Sequence, residues 1–190
     1  MNPYISITHI DKIFFKGCSG CENHCCDGSR FKFSPLILDD FNEVHEKFPI
    51  VFAYLNNELR ALMLLAKDDS TCKYYINSCC SIYESRPPAC QIYPMSPYYE
   101  DVIVDTSCHG TGETGDLLAT SNSINSSFYH DRFENFNTKF ENTKEFLKII
   151  EKDLIKFGTN SGIDIYKYVA NCNENIYLKM HKESLNDFKV

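Results

Sequence analysis

The 190-residue sequence is poor in basic residues and has no long apolar run. It contains 19 lysine and arginine residues against 26 aspartate and glutamate residues, which gives a formal net charge of −7. No stretch concentrates the basic side chains into a stripe, so we expect no nucleic-acid partner. No apolar run approaches the ~20 residues needed to cross a bilayer. The negative charge also disfavours adhesion to an anionic surface, so we expect no membrane partner.

The first residues also lack the pattern of a secretory signal. The segment MNPYISITHIDKIFFKG has no basic region followed by an apolar run and no small-residue cleavage site. We therefore expect the protein to be cytoplasmic, in a compartment where thiols are kept reduced. Ten cysteines in such a compartment need an explanation other than a disulfide framework.

The cysteines divide the sequence into two regions. Nine of the ten lie within residues 18–108, and the remaining one is Cys172. This distribution predicts a cysteine-rich module over residues 1–115 and a second region over residues 128–190. The polar segment SNSINSS, residues 121–127, is the predicted linker between them.

The predicted fold is α+β: a small irregular cysteine-rich module with a short hairpin, followed by a helical C-terminal region. The segment SPLILDDFNEVHEKFP, residues 34–49, predicts a helix with Ser34 as its N-cap and Pro35 at its first position. The apolar runs IVFAYL and RALMLL flank NNE and predict a hairpin with a short polar loop. The segment YYEDVIVDTS predicts a further strand.

The C-terminal region carries a helical repeat of apolar residues. Spacings of three, four and seven link Phe133 to Phe157 and predict a helix that ends at Gly158. A second helix is predicted over residues 173–188. We expect these helices to pack on the cysteine module, and binding of a protein partner is the alternative use of their apolar faces.

Three interpretations compete for CSGCENHCC, residues 18–26: disulfide bonds, a reactive thiol pair, or metal ligation. The reducing compartment disfavours disulfides, and adjacent cysteines such as Cys25 and Cys26 bridge only with strain. A redox C-x-x-C motif needs two sulfurs, whereas this segment has four and further cysteines follow. Metal ligation uses the cysteines best, because thiolates are soft donors that suit zinc and iron–sulfur centres.

The repulsion between clustered thiolates also favours a metal. Two thiolates about 4 Å apart repel each other by about 4 kcal/mol at an effective dielectric constant of about 20. A bound cation removes this cost, and structural zinc contributes roughly 10–16 kcal/mol of apparent folding free energy in small peptides. A module built from short elements is expected to depend on that contribution.

A second group of cysteines lies in CKYYINSCCSIYESRPPACQIYP, residues 72–94. Two prolines fix the backbone just before Cys90. Arg86 is predicted to lie near the metal, where it offsets thiolate charge or donates to sulfur, with an ordinary surface ion pair as the alternative. Tyr83 and Tyr93 are predicted to shield the centre from water, with core packing as the alternative.

Three blocks of the sequence match a known family pattern. The segment CSGCENHCC resembles the C-x-x-C…CC opening of the YkgJ-type cysteine-cluster family of zinc- or iron-chelating proteins. The segment CSIYESRPPACQIYP resembles that family's C-x-I-Y-x-x-R-P-x-x-C-x-x-[FY]-P block, and DTSCHGTG resembles its closing cysteine. The resemblance implies eight metal ligands: Cys18, Cys21, Cys25, Cys26, Cys72, Cys80, Cys90 and Cys108. Cys79 and Cys172 match no family cysteine and are predicted to be unliganded.

The spacing of the cysteines does not choose the metal, because a four-sulfur site suits zinc and an iron–sulfur cluster alike. Eight ligands make two such sites, or one site with supporting cysteines around it. If the backbone is extended at Cys25 and Cys26, their side chains point in different directions and can serve different centres. His24 and His109 are the only candidate nitrogen ligands. We favour an iron–sulfur cluster, [4Fe–4S], with zinc as the alternative cofactor.

The predicted function is that of a cytoplasmic metal-binding protein in electron transfer or metal handling. The segment CENHCC is also similar to the opening of the flagellin lysine N-methylases, which implies an iron–sulfur-dependent protein-modifying enzyme as one alternative. A structural zinc module is the other alternative. No catalytic residue is predicted.

Overall fold

The computed structural model describes residues 3–18, 25–27, 31–66, 70–170, 175–186 and 188. The chain forms two compact units, each built from two separate stretches of sequence. Unit 1 comprises Met1–His24 and Ile76–Asn137, and unit 2 comprises Cys25–Tyr75 and Thr138–Val190. The domain boundaries predicted at residues 115 and 128 are based on cysteine content, whereas the two units are defined by contacts between residues. The predicted boundaries therefore stay a prediction.

Runs of two to five strands are separated by α-helices along the chain, with 3₁₀ turns between several of the elements. In chain order the elements are β1 (Tyr4–Ser6), β2 (Lys12–Phe15), β3 (Phe33–Leu36), α1 (Phe41–Val44), β4 (Ile50–Leu55), β5 (Glu58–Leu64), β6 (Tyr75–Ile76), β7 (Cys79–Cys80), α2 (Pro88–Gln91), β8 (Met95–Tyr98), β9 (Asp101–Asp105), β10 (Thr111–Gly112), β11 (Asp116–Thr120), β12 (Ser123–Ile124), α3 (Phe136–Ile150), β13 (Leu154–Asn160), β14 (Ile163–Tyr168) and α4 (Ile176–Ser184). The predicted mixture of helices and strands is therefore confirmed.

Unit 1 is built from two small antiparallel sheets. Their strand orders are β1-β9-β8 and β10-β2-β11-β12. Apolar side chains from both sheets form one buried cluster, which consists of Ile7, Ile13, Phe15, Met95, Val104, Cys108, Leu118 and Ala119. A cysteine thus belongs to the hydrophobic core of this unit.

Unit 2 is built around a five-stranded antiparallel sheet in the order β13-β14-β4-β5-β3. Strand β4 lies at its centre, and the side chains of residues 50–53 are fully buried, so both faces of this strand are covered. Helix α4 packs against it, with the rings of Phe52 and His181 only 4.7 Å apart between centroids. The hydrophobic core of unit 2 therefore lies between the sheet and its helices.

His181 joins α4 to two strands of this sheet by hydrogen bonds. The backbone N–H of Tyr168 donates to its Nε2 at 3.1 Å, so Nδ1 carries the proton and donates to the carbonyl of Ile50 at 2.8 Å. Both ring nitrogens of the neutral imidazole are thereby satisfied in a fully buried position.

The predicted hairpin between IVFAYL and RALMLL is confirmed as β4 and β5. Its turn consists of Asn56 and Asn57, whose φ angles are +52° and +64°. Two successive positive φ angles define the type I′ turn of two-residue hairpins, and asparagine tolerates this region better than most residues. The strand predicted in YYEDVIVDTS is confirmed as β9, and the helix predicted over 173–188 as α4, although residues 173, 174 and 187 lie outside the described part of the chain.

The helix predicted over residues 34–49 is wrong in its first half. Ser34 and Pro35 belong to β3, where they pair with Met63 and Leu62 of β5. Since β3 is an edge strand of the sheet, proline is tolerated there. Helix begins only after this strand, as a 3₁₀ turn and the short α1, so strand pairing has prevailed over the local capping signal.

The helical C-terminal region is also wrong in part. Helix α3 ends at Ile150, and the following residues form the β13–β14 hairpin, with Gly158 beside a register shift inside β13 instead of at a helix end. The turn of this hairpin contains Ser161 and Gly162, with φ angles of +51° and +76°. A Ser-Gly pair between two apolar runs indicates a turn, but the apolar residues around it also fit the spacing of a helix. Binding of a protein partner through the helices stays a prediction.

The linker predicted over residues 121–127 contains ordered structure. Ser123 and Ile124 form β12 and pair with β11. The Asn125 side chain then caps a 3₁₀ turn by accepting from the N–H of Ser127 at 3.0 Å. Small polar residues therefore mark a turn and a helix cap at this position, because their side chains bond to the nearby backbone.

Candidate metal centre

Cys25 and Cys26 lie at the start of a 3₁₀ turn, Cys25–Asp27, in unit 2. Their Sγ atoms are 3.9 Å apart. The backbone at Cys25 and Cys26 is therefore helical and not extended. The expectation that the two side chains point in different directions, which required an extended backbone, does not apply. The helical turn places both sulfurs close to each other instead.

This sulfur–sulfur distance fits two ligands of one metal ion. In a tetrahedral site with Zn–S bonds of about 2.3 Å, two neighbouring sulfurs are about 3.8 Å apart. The spacing of Cys25 and Cys26 is thus compatible with ligation of a single ion. The chemistry of the donors fits as well, because both are soft thiols.

Cys72 is joined to this pair through the backbone. Its N–H donates to the carbonyl of Cys26 at 2.9 Å, and its own carbonyl accepts from the N–H of Tyr75 at 2.9 Å. The residue is only 4% exposed. A backbone bond thus holds together three predicted ligands from two distant stretches of unit 2.

Cys18 and Cys108 are brought into one region of unit 1 by the sheet. Thr111 of β10 pairs with Phe15 of β2, so the residues just after β2 and just before β10 are neighbours. Cys108 is 8% exposed and belongs to the buried cluster of unit 1, and Cys18 and Tyr93 pack against the same cluster. Pairing of two short strands therefore brings together cysteines that are 90 positions apart in the sequence.

The turn that carries Cys108 is held by backbone and side-chain hydrogen bonds. The Cys108 N–H donates to the carbonyl of Asp105 at 3.2 Å, and the Cys108 carbonyl accepts from the N–H and the hydroxyl of Thr111 at 3.0 and 2.7 Å. Gly110 packs so closely that an added Cβ would lie 2.5 Å from the ring of Phe15. The close approach thus requires glycine at this position.

Cys80 and Cys90 lie in the second cysteine group of unit 1. Cys80 is half-buried in β7, next to the exposed Cys79. Cys90 lies in α2, which begins at Pro88, and its N–H donates to the carbonyl of Pro87 at 2.8 Å. The two prolines thus fix a short helical turn around Cys90, as proline does at a helix start.

Arg86 and Tyr83 contact each other. The guanidinium carbon of Arg86 lies 3.6 Å from the centre of the Tyr83 ring, and its Nε donates to the Tyr83 carbonyl at 2.7 Å. Tyr83 remains 39% exposed, whereas the half-buried Tyr93 donates its hydroxyl to Asp105 at 3.0 Å. Their roles beside a metal stay a prediction.

The described cysteines do not by themselves complete a metal site. Among the residues that the structure describes, no group of three or more histidine, cysteine, aspartate or glutamate side chains is arranged to hold an ion. Cys21, His24 and Cys172 lie outside the described residues, and His109 is exposed. None of the eight described cysteines is part of a disulfide bond.

Comparison with known proteins agrees with the chemistry of the cysteines. The model of the CxxCxxCC family, described as "Putative zinc- or iron-chelating domain", matches residues 17–109. No curated protein and no solved structure matches the chain significantly. In the described part of the chain, every helix is too short or too polar to span a membrane. Residues 17–109 are therefore similar to the CxxCxxCC family, and this likeness supports metal binding in general.

Proposed function

We propose that this chain binds zinc or an iron–sulfur cluster through cysteine thiolates, in a cytoplasmic compartment that keeps them reduced. The family match supports metal binding in general. The proposed ligands are those implied by the cysteine pattern: Cys18, Cys21, Cys25, Cys26, Cys72, Cys80, Cys90 and Cys108. Electron transfer or metal handling is the role that we propose for the centre.

The separation of 3.9 Å between the sulfurs of Cys25 and Cys26 is the observation that carries this proposal. Four cysteines divide between two irons in a [2Fe–2S] cluster, so each iron takes two thiolates, whereas each iron of a [4Fe–4S] cluster takes one. Two thiols at the spacing of ligands on one ion therefore favour zinc or a two-iron cluster. The [4Fe–4S] cluster stays the prediction from sequence.

The residues around the proposed ligands supply burial and fixed positions. Cys72 and Cys108 are buried, and Tyr93 packs against the cluster that contains Cys108. Exclusion of water strengthens the attraction between thiolates and a cation, because the effective dielectric constant falls. When bound, an iron–sulfur cluster supplies one-electron chemistry and zinc supplies a structural link.

Metal analysis of anaerobically purified protein tests the proposal. We expect a stoichiometric amount of zinc, or of iron with acid-labile sulfide and visible absorbance. Cys26→Ser should lower the metal content, whereas the matched control Cys79→Ser, at an exposed cysteine that is also next to another cysteine, should retain it. Anaerobically purified protein whose cysteine turns are ordered without any metal, or equal metal loss in both variants, contradicts the proposal.

A further inference from the structure

Asp105 is a buried acidic residue to which the cysteine pattern assigns no role. It is the last residue of β9, lies three positions before Cys108, and is only 1% exposed. A carboxylate at this depth needs hydrogen-bond donors, because an unpaired buried charge is costly. The groups that donate to it therefore indicate what it holds in place.

Both carboxylate oxygens of Asp105 accept hydrogen bonds. The Tyr93 hydroxyl donates to Oδ2 at 3.0 Å. Ser107 donates to Oδ1 from its hydroxyl at 2.6 Å and from its backbone N–H at 3.0 Å. The bond from the Ser107 N–H closes an Asx-turn, which fixes the path of the chain towards Cys108.

The backbone of Asp105 links the same two segments. Its N–H donates to the carbonyl of Pro94 at 2.9 Å, and its carbonyl accepts from the N–H of Cys108 at 3.2 Å. Side chain and backbone thus join Tyr93 and Pro94, which follow the helical turn of Cys90, to the turn that carries Cys108. One residue holds segments that bear two proposed ligands.

We propose that Asp105 is a positioning residue for the metal centre, which holds Tyr93 and the turn of Cys108 in the arrangement that receives the metal. The inference rests on the proposed metal-binding function. It makes Asp105 a partner of ligand-bearing segments, because its oxygens accept hydrogen bonds from Tyr93 and Ser107. Replacement of a group that hydrogen-bonds directly to a ligand typically lowers metal affinity by about 10–100-fold. Because Asp105 reaches Cys108 through Ser107 and the backbone, we expect an effect at the lower end of this range.

Cobalt(II) binding to the full chain tests this role. Asp105→Asn keeps the size of the side chain but places an amide where Tyr93 and Ser107 donate. We expect an affinity loss of about 10-fold or more and a shifted thiolate-to-cobalt absorption band, with unchanged far-UV circular dichroism. Wild-type affinity together with the wild-type band would overturn the proposal.

Asp101→Asn is the matched control. Asp101 lies on the same strand, is half-buried, and accepts a hydrogen bond from the N–H of Val102 at 2.7 Å. We expect this variant to keep the affinity and the absorption band. An equal change in the two variants would mean that any lost carboxylate on β9 disturbs the unit, which would also overturn the proposal.

Tyr93→Phe serves as the second variant if Asp105→Asn does not fold. It keeps the aromatic ring and removes only the donor to Oδ2. We expect a shifted absorption band with a smaller loss of cobalt(II) affinity than a loss of the carboxylate causes. An unchanged band in a folded Tyr93→Phe protein would contradict positioning through this hydrogen bond.

Thiol reactivity separates this inference from the proposed function. If the wild-type chain binds neither cobalt(II) nor zinc and is isolated anaerobically without iron, the proposed function fails, and the alkylation rate of Cys108 in the metal-free protein is measured by peptide mass spectrometry. Cys108 is 8% exposed, so we expect alkylation several-fold faster in Asp105→Asn than in Asp101→Asn. Equal rates would overturn the positioning role independently.

Discussion

Unit 2 contains most of the largest buried side chains, whereas unit 1 is built from shorter strands joined by hydrogen-bonded turns. Among the described residues, eleven of the twelve largest fully buried side chains lie in unit 2, and the remaining one is Leu118 of unit 1. The strands of unit 2 reach seven residues, while those wholly within unit 1 have two to five. Long paired strands bury more apolar surface, and this surface is the main favourable contribution to folding.

The cysteines fall differently in the two units. In unit 1, Cys108 is part of the hydrophobic cluster itself, and its turn is held by the buried Asp105. In unit 2, the Cys25–Cys26 pair and Cys72 lie outside the five-stranded sheet. We therefore expect metal loss to affect the cysteine turns strongly and the sheet of unit 2 weakly.

Removal of the metal should have the largest effect. A structural zinc contributes roughly 10–16 kcal/mol of apparent folding free energy in small peptides, which exceeds the stability of many domains. After chelation under reducing conditions, hydrogen exchange should accelerate at Cys108 and Thr111, whereas the amides of β4 and β5 should stay protected. Equal loss of protection in the two units would break the contrast between them.

Truncation of a core side chain in unit 2 should have the second-largest effect. Phe52 is fully buried on the central strand, and Phe52→Ala should lower the free energy of unfolding by about 3–5 kcal/mol through lost burial and a cavity. The control Tyr54→Phe, on the same strand at a 42% exposed position, should cost at most about 1 kcal/mol. Urea denaturation measures both changes. If the Phe52→Ala protein remains folded but loses its metal, the core of unit 2 and the metal centre are coupled.

The buried histidine of unit 2 should make stability depend on pH. Burial lowers the pKa of His181 to about 4 from its ordinary 6.5, against an opposing contribution from its bond to the Ile50 carbonyl. Between these values the unfolded chain binds a proton that the folded chain does not, so stability is full above pH 6.5 and falls towards pH 4. The loss should reach about 3 kcal/mol.

Variants at two histidines isolate this effect. His181→Gln keeps hydrogen-bonding capacity without a titratable ring and should flatten the pH dependence of urea denaturation between pH 4 and 6.5. The control His9→Gln, at an exposed position, should retain the wild-type slope. An unchanged slope in His181→Gln would assign the dependence to other groups.

Arg86→Lys should have the smallest effect and sharpen the role of the arginine. The variant keeps the charge but loses the planar stacking on Tyr83 and the Nε donor to its carbonyl. We expect a loss of about 0.5–1 kcal/mol in the free energy of unfolding, with an unchanged spectrum of the metal centre. A changed spectrum would instead support the predicted contact between Arg86 and a thiolate.

Particular residues show how far the fold follows from the sequence. The hairpin of β4 and β5 was predictable because Asn56 and Asn57 separate two apolar runs and suit positive φ angles. The β13–β14 hairpin was not, because Leu154 and Phe157 also continue the helical spacing of α3. Pairing of β14 with the distant β4 decides the outcome, and such non-local pairing leaves no mark within a short sequence window.

The candidate centre was predictable in its chemistry and not in its geometry. Cysteine types and spacing match the family domain, but they do not show that Cys25 and Cys26 lie on a 3₁₀ turn with adjacent sulfurs. Asp105 was missed, although the pattern of Asp105 followed by Ser107 is typical of an Asx-turn and could have indicated it. The sequence does not show that Asp105 is buried, so in this respect nothing in it distinguishes this aspartate from the exposed ones.

X-ray absorption at the edge of the bound metal tests the central claim most directly. For anaerobically purified protein, we predict a first shell of sulfur atoms at about 2.3 Å, the distance of a metal–thiolate bond. A first shell made only of nitrogen and oxygen atoms, in a fully loaded protein, would contradict ligation by the clustered cysteines.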